Sequence, residues 1–493
     1  MNQSSEVPVN VGFIVTEAQK AAIDAQRKWW NLARRDRFRA VAAIAAQLAE
    51  RSAELVAAID RQATAAEILT SEVFPLADAC QFAAKHGPRI LAPYSHTALF
   101  GSWWMGRIGV SVRPEPWGVV LILAPWNYPL LLAGVQAIQA VAAGNAVLIK
   151  PAPGCERITE LLRDCMVAAG VTENLVQVLP SDVEAGEAAI RAGVDKVVLT
   201  GSVGTGRKVL HMLADEIVPS TMELSGCDAA FVLPQADLKR AAKSIAFALK
   251  MNGGATCIAP RRIFVTKDNH ALLCELLLQE LIDAAPVTIR PSILQQANGL
   301  ISEALAAGAK RLGAQTESAA EAIPGDPVSD QMSATILVDV QPEMRVATAD
   351  VFAPIASIIQ VDDMTEAMRM DAACPYHLGA SVFGPEPHAS YWAEQIQAGC
   401  VTLNDTLIPT ADPRVAFGGR GHSGWGVTRG SEGLLEMTRP KVICERRGRW
   451  MPHFDRKVAS SPAVLTHLLK FFHARTLSER LKNGWAFILS QAK

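Results

Sequence analysis

The sequence predicts an α/β fold whose parallel sheets are covered on both faces, and two observations carry that expectation. From residue 117 onward, short runs rich in β-branched residues alternate with stretches of helical periodicity. Strands interleaved with helices imply βαβ units and hence parallel pairing. The chain is also 493 residues long, half of them hydrophobic and only 19% charged, which is more apolar material than one ordinary core takes up.

The elements follow in order. Residues 15–65 read as helices, because alanine is abundant and apolar residues recur at helical spacing in RAVAAIAAQLAERSAELVAAI. Residues 93–115 are rich in aromatic and β-forming residues and read as an insertion that pairs with another subunit. Strands are then expected at Trp117–Ala124, Ala146–Lys150, Leu175–Leu179, Lys196–Thr200 and Ala229–Leu233. Helices fall between them at Tyr128–Ala143, Arg157–Ala169 and Gly206–Leu213. A second α/β block follows, with strands at Arg262–Val265, Ala334–Val338, Ala356–Gln360 and Ala380–Phe383. Gln315–Pro327, rich in Ala, Glu, Ser and Pro, reads as a surface loop.

Bulk properties exclude several classes. A net charge of −2 gives no global reason to expect a nucleic-acid partner. Nine cysteines scattered without C-x-x-C pairs argue against a zinc site and a disulfide scaffold, and suit a reducing cytosol. The N-terminus lacks the basic start and apolar run of a signal peptide. No apolar run approaches the ~18 residues a membrane-spanning helix needs.

Three short segments carry the chemistry: Pro125–Pro129, Glu223–Gly226 and Asn252–Cys257. They offer an amide donor, a carboxylate and a thiol. Oxidising a carbonyl through a thioester requires a nucleophile, an oxyanion donor and a base for water. Cys257 follows a Gly-Gly pair that permits a tight turn, though any one of nine cysteines is commonly an inert core residue. Glu223 stands among small and apolar residues, where desolvation raises a carboxyl toward neutral pH; an ion-paired or capping glutamate is the plainer alternative. Asn127 is either an amide donor or a helix N-cap. Thr200–Gly206 follows a strand and opens a helix, so its N–H groups can meet a pyrophosphate, but without G-x-G-x-x-G it is nearly as well read as a plain βα turn. Lys150 ends a strand and is either a ribose contact or a surface lysine.

Taken in order, these segments resemble the aldehyde dehydrogenase superfamily over about residues 15–445. Glu223 and Cys257 stand 34 positions apart, in keeping with that family. The resemblance implies a Rossmann-like dinucleotide-binding domain (residues 1–92 and 116–225) plus an α/β catalytic domain (226–432), with a small β oligomerisation element (93–115 and 433–445). It implies Cys257 as nucleophile, Glu223 as general base, and Asn127 with the Cys257 N–H as oxyanion hole. Trp126, Lys150, Gly201, Ser202, Gly206, Asp350 and Phe352 are the expected NAD or NADP contacts, and no metal is expected. Leu378–Phe383, Phe417–Gly419 and Ser423-Gly424 extend the match.

The departures concern mainly the cofactor. Pro153 occupies a position where the family often has a glutamate for the adenosine ribose, which removes repulsion toward a 2′-phosphate. Asp350 replaces the usual glutamate with a side chain one methylene shorter. Ala255 and Ser225 replace a glutamine and a glycine.

The 446–493 tail is a basic extension. From Glu445 to Lys493 there are ten Lys/Arg against three acidic residues, an excess of +7 that leaves the rest of the chain at −9. Its leucines and aromatics are interleaved with the cations, as in an amphipathic helix on an anionic membrane; packing on the enzyme body or a partner subunit is an equal alternative. The expected enzyme is a cytoplasmic homodimer or homotetramer, peripheral at the inner membrane surface if the tail meets lipid. It takes a small-molecule aldehyde, aliphatic or lipid-derived in the membrane case. The rival readings are a coenzyme A-acylating enzyme and a non-catalytic membrane-associated relative. Glu223 disfavours the first, because thiolysis needs no water-activating base.

Overall fold

A computed structural model describes residues 10–96, 107–313, 330–447, 449, 451, 454 and 461–491. The loop expected at Gln315–Pro327 lies outside the described residues. Two compact units emerge: residues 1–90 with 116–438, and residues 91–115 with 439–493.

The larger unit contains two large sheets, each parallel except for one antiparallel edge strand, Gly424–Trp425 in the first and Lys310–Arg311 in the second. In the first, the order is Gly424–Trp425, Ser220–Leu224, Lys196–Gly201, Val119–Leu123, Ala146–Lys150, Val176–Val178. All pairs are parallel except the Gly424–Trp425 edge. The chain runs outward from Val119–Leu123 to one side, then returns to place Lys196–Gly201 on the other. That reversal opens a crevice at the carboxyl ends of these two strands, where doubly wound sheets bind ligands.

The second sheet orders Lys310–Arg311, Thr335–Val338, Ile355–Val361, Arg262–Thr266, Ala229–Val232, Gly379–Phe383 and Cys400–Leu403. Its two faces divide the side chains by parity. Phe231 and Phe264 stack at 5.2 Å in one apolar cluster, while Ala230, Val232, Ile263 and Val265 join another. Burial on both faces explains why these strands read as continuous apolar runs rather than alternating ones.

Two expectations are corrected. The helix expected from Tyr128 begins at Leu131 and ends at Ala143. Asn127 therefore does not cap it. The Glu72 carboxylate accepts from Leu130 N (2.8 Å) and Leu131 N (3.2 Å) instead, so a side chain distant in sequence satisfies the helix start. Second, residues 433–438 belong to the larger unit rather than to the small β element. Glu436 O accepts from Trp117 Nε1 at 3.0 Å, and Met437 O accepts from Asn145 Nδ2 at 2.9 Å. The helices expected over residues 15–65 are continued by Ala65–Ile68, a π-turn at Leu69–Val73 and Phe74–Ile90.

The smaller unit holds a three-stranded sheet ordered Tyr94–His96, Ile108–Pro116, Thr438–Arg446, its first pair antiparallel. It also holds two helices, Pro462–His473 and Leu477–Gln491, packed on one another. Among the described residues, no helix is long and apolar enough to cross a membrane.

Candidate active site

A cavity of about 530 Å³ occupies the crevice of the first sheet. Its volume is in the range of small-molecule and cofactor sites. Trp126, Asn127, Lys150, Gly201, Ser202, Glu223, Cys257, Asp350 and Phe352 line it together. Of the ten site residues expected from sequence, Gly206 alone is absent from the lining. It lies in the first turn of the helix Val203–Glu216, where an added Cβ would come 2.9 Å from the Leu224 side chain. Glycine is therefore required there by helix–strand packing.

Cys257 is carried by a turn that only a glycine-rich sequence can make. Asn252, Gly253 and Gly254 all have positive φ (49°, 58° and 77°). At Gly254 a Cβ would meet the backbone of Ala353 and Pro354 at 2.5–2.6 Å, so the loop passes directly against the segment that follows Asp350 and Phe352. The buried Arg261 guanidinium clamps that crossing by donating to Ala353 O (2.6 Å) and to Gly254 O. Cys257 as a residue is half-buried.

The Asn127 and Cys257 loops are laced to each other. Asn127 Nδ2 donates to Ala255 O at 3.0 Å, and Asn252 Nδ2 donates to Asn127 O at 2.8 Å. Tyr128 Oη and Thr256 Oγ1 are 2.6 Å apart. One of the two amide protons of Asn127 is thus engaged, and the other remains for a ligand. Behind both loops stand Glu67, which accepts from Asn252 N at 3.0 Å, and Glu72, which caps the helix after Asn127. Arg61 lies 3.3 Å from Glu72 and over the Tyr128 ring at 5.1 Å. Burial pushes the Glu72 carboxyl up to about 7, against the pull of Arg61 and the two N–H groups.

Glu223 ends the Ser220–Leu224 strand, pairs across the edge with Gly424, and is 3% exposed. The Thr428 and Thr200 hydroxyls stand close to the carboxylate, but neither of its oxygens makes a well-formed hydrogen bond. Burial raises its pKa, outweighing Arg429 and the Thr428 and Thr200 hydroxyls. An unpaired carboxyl of this kind is unfavourable structurally and suited to accepting a proton. It resembles neither the ion-paired nor the capping alternative. The Cys257 thiol is also pushed up, by burial first and then by Glu223 and Asp228. Asp350 is raised by burial against the Ser225 hydroxyl and Arg261. The two departures at 225 and 350 are therefore neighbours in space.

The other half of the cavity has the features of a nucleotide site. Ser202 caps the helix Val203–Glu216 by accepting from Thr205 N at 3.2 Å, and both residues line the cavity. The free N–H groups and dipole of that helix start favour an anion. Lys150 and Lys208 line the same half. Burial lowers the Lys150 pKa, opposed by Asp182 and Glu156. Trp126 and Phe352 face each other at 6.0 Å between centroids, and Arg290 lies 4.0 Å over the Trp126 ring. These groups fit the charge and ring faces of a dinucleotide. Among the described residues, no cluster of His, Cys, Asp and Glu could hold a metal ion.

Sequence reading missed Glu72, Arg61, Arg261 and Lys208. Glu72 had one weak signal, a carboxylate within the apolar helical run EILTSEVFPLADAC. Arg261 and Lys208 had none, because their partners are set only by loop crossings.

The chain matches the aldehyde dehydrogenase family over residues 7–443. It is 29% identical over 405 residues to a 4,4'-diapolycopene aldehyde oxidase of Methylomonas sp, covering 78% of this chain and 74% of that protein. It is 30% identical over 440 residues to a benzaldehyde dehydrogenase [NAD(+)] of Pseudomonas putida, covering 86% and 87%. Among solved structures, it is similar to a Mycobacterium tuberculosis aldehyde dehydrogenase complexed with NAD+, with a TM-score of 0.81, 25% identity and coverage of 90% and 92%.

Proposed function

The chain belongs to the aldehyde dehydrogenase family and oxidises aldehydes to acids with NAD+ or NADP+, and on that premise we propose that Cys257 is its nucleophile, Glu223 its general base and Asn127 its oxyanion donor. The observation supporting this reading is that all three line one cavity, whose other half carries a capped helix start and two lysines. The division of the larger unit into a dinucleotide-binding part (1–92, 116–225) and a catalytic part (226–432) is part of the same proposal.

In this mechanism Cys257, its proton released to solvent, attacks the aldehyde carbon as the thiolate. The displaced carbonyl electrons collect on oxygen, where the second amide proton of Asn127 and the Cys257 N–H donate. NAD(P)+, when bound, supplies the hydride acceptor. Trp126, Lys150, Gly201, Ser202, Asp350 and Phe352 would hold it, with Gly206 keeping the helix close to its strand. The acyl group is then a thioester on Cys257. Glu223 takes the proton from water as that water adds to the thioester carbon, and the thiolate leaves. A buried, unpaired carboxylate suits hydrolysis and is superfluous for transfer to coenzyme A. Full turnover without coenzyme A is therefore expected.

Cys257→Ala should abolish aldehyde-dependent NAD(P)H formation while leaving the fold intact. Near-normal turnover in that variant would sink the assignment. At the nucleotide end, Lys150 and Lys208 line the cavity and Pro153 supplies no carboxylate, so NADP+ is expected to serve at least as well as NAD+. Steady-state comparison of the two cofactors checks this.

The substrate proposed is a lipophilic aldehyde. In support, one similar protein is named for oxidation of a diapolycopene aldehyde. A panel of short, long-chain and aromatic aldehydes tests it. All nine cysteines are free, consistent with a reducing compartment and a cytoplasmic enzyme. We propose a homodimer or homotetramer, with peripheral membrane contact through residues 446–493.

A further inference from the structure

The helices Pro462–His473 and Leu477–Gln491 lie beyond the region matched to the family, so dehydrogenase chemistry does not account for them. They pack closely against each other. His467 Nδ1 and Asn483 Oδ1 are 3.0 Å apart, and a Cβ at Gly484 would come 2.7 Å from the Phe471 ring. Gly484 thus marks the close approach of the pair.

The opposite side of the second helix is apolar and uncovered. Leu477, Leu481, Trp485, Ile488 and Leu489 are 56–72% exposed. At about 100° per residue they fall within an arc of roughly 120°, a single stripe on one face. Leu465 and Leu469 on the first helix are exposed as well. A stripe of this size is not accounted for by the ordinary scatter of surface leucines.

The charge around the stripe identifies its partner. Over residues 461–491 Lys470, Arg475, Arg480 and Lys482 face a single acidic residue, Glu479. None of the four cations has an ion-pair partner among the described residues. Lys482 stands at the border of the stripe, about 20° beyond Leu489. A second copy docked on this face would set cation against cation. An anionic bilayer matches both features, accepting the leucines and the tryptophan below its headgroups and the cations at their level. With 12 and 15 residues the helices are too short to span and long enough to lie in the interface.

We propose that this helical hairpin is a docking surface for an anionic lipid bilayer, with Leu477, Leu481, Trp485, Ile488 and Leu489 as the inserting face. The inference sharpens the peripheral contact proposed above and does not depend on the catalytic roles of Cys257, Glu223 or Asn127.

The test is sedimentation of the full-length protein with phosphatidylcholine vesicles, with and without about one-third phosphatidylglycerol. Expected is partitioning at least tenfold stronger onto the anionic vesicles, weakened in 0.5 M salt over a range where exposed charges are screened. Lys470→Glu with Lys482→Glu should lower partitioning at least fivefold per charge. Leu481→Ser with Trp485→Ser should lower it at least tenfold. Retained turnover of a short aldehyde verifies that each variant is folded. No partitioning, or equal partitioning onto neutral vesicles in high salt, overturns the proposal. So does a halved solution mass in the serine variant, which would assign the stripe to a second copy. Because sedimentation requires no turnover, failure here is distinct from failure of the catalytic reading.

Discussion

The cavity around Cys257 and the C-terminal helix pair break the usual partition of polar and apolar groups in opposite directions. In the cavity, Glu223 is buried with both oxygens unpartnered, and Asp350 keeps one oxygen unpartnered. In the helix pair, the large apolar side chains Leu477, Leu481 and Trp485 face outward. Burying an unpaired carboxylate costs roughly 1–3 kcal/mol or more, and each exposed leucine forgoes about 1.5–3 kcal/mol of burial. The two regions tolerate these costs by different means. The cavity is braced from behind by Arg261, Glu72, Glu67 and Arg61, which hold its loops in place. In the helix pair the two helices pack closely on one another and the outer apolar face is left exposed.

That difference can be tested by removing the unusual groups in turn. Glu223→Gln should have the largest effect, lowering kcat by about 10²–10⁴ while leaving a first-turnover burst of NAD(P)H. Stopped-flow absorbance checks it, and loss of the burst would move Glu223 to an earlier step. Burial raises the Glu223 pKa, and the base acts when ionised. The steady-state rate of the native enzyme should therefore fall as pH is lowered into that raised range, and the Gln variant should lack this limb.

Asn127→Ala should lower kcat by about 10²–10³ through loss of the oxyanion donor. It also removes the hydrogen bond to Ala255 O, at a cost of about 1 kcal/mol in stability. Chemical denaturation separates the two effects.

Glu72 is the test of the bracing. Its pKa stands at about 7 in the folded protein against 4.5 for an ordinary glutamate, so the folded state holds the extra proton between those values. Stability from this group is therefore complete below pH 4.5 and declines by about 3 kcal/mol as pH rises to about 7. Glu72→Gln keeps the acceptor for Leu130 and Leu131 and should flatten that slope relative to the native chain. Glu72→Ala should destabilise by about 3–5 kcal/mol, because it takes the buried carboxyl from Arg61 and leaves the Leu130 and Leu131 N–H groups without an acceptor.

The smallest effect belongs to the outer face of the helix pair. Leu481→Ser should change folding stability by no more than about 0.5 kcal/mol and leave turnover of a short aldehyde unchanged. A larger loss of stability would show that the stripe packs on protein.

The sequence by itself determined the α/β alternation, the strands expected at Ala146–Lys150 and Lys196–Thr200, and the identity of Cys257, Glu223 and Asn127 as candidates. These depend on local periodicity, on glycine at positive φ, and on the order of short motifs, all written along the chain. Tertiary structure decided what surrounds them. Glu72 rather than Asn127 starts the helix at Leu131, because the chain folds residue 72 beneath residue 130. Gly206 packs on Leu224 instead of lining the cavity, because a helix must approach its own strand. Ser225 and Asp350, far apart in sequence, became neighbours in the fold. Such pairings depend on long-range crossings, whose partners no local periodicity encodes.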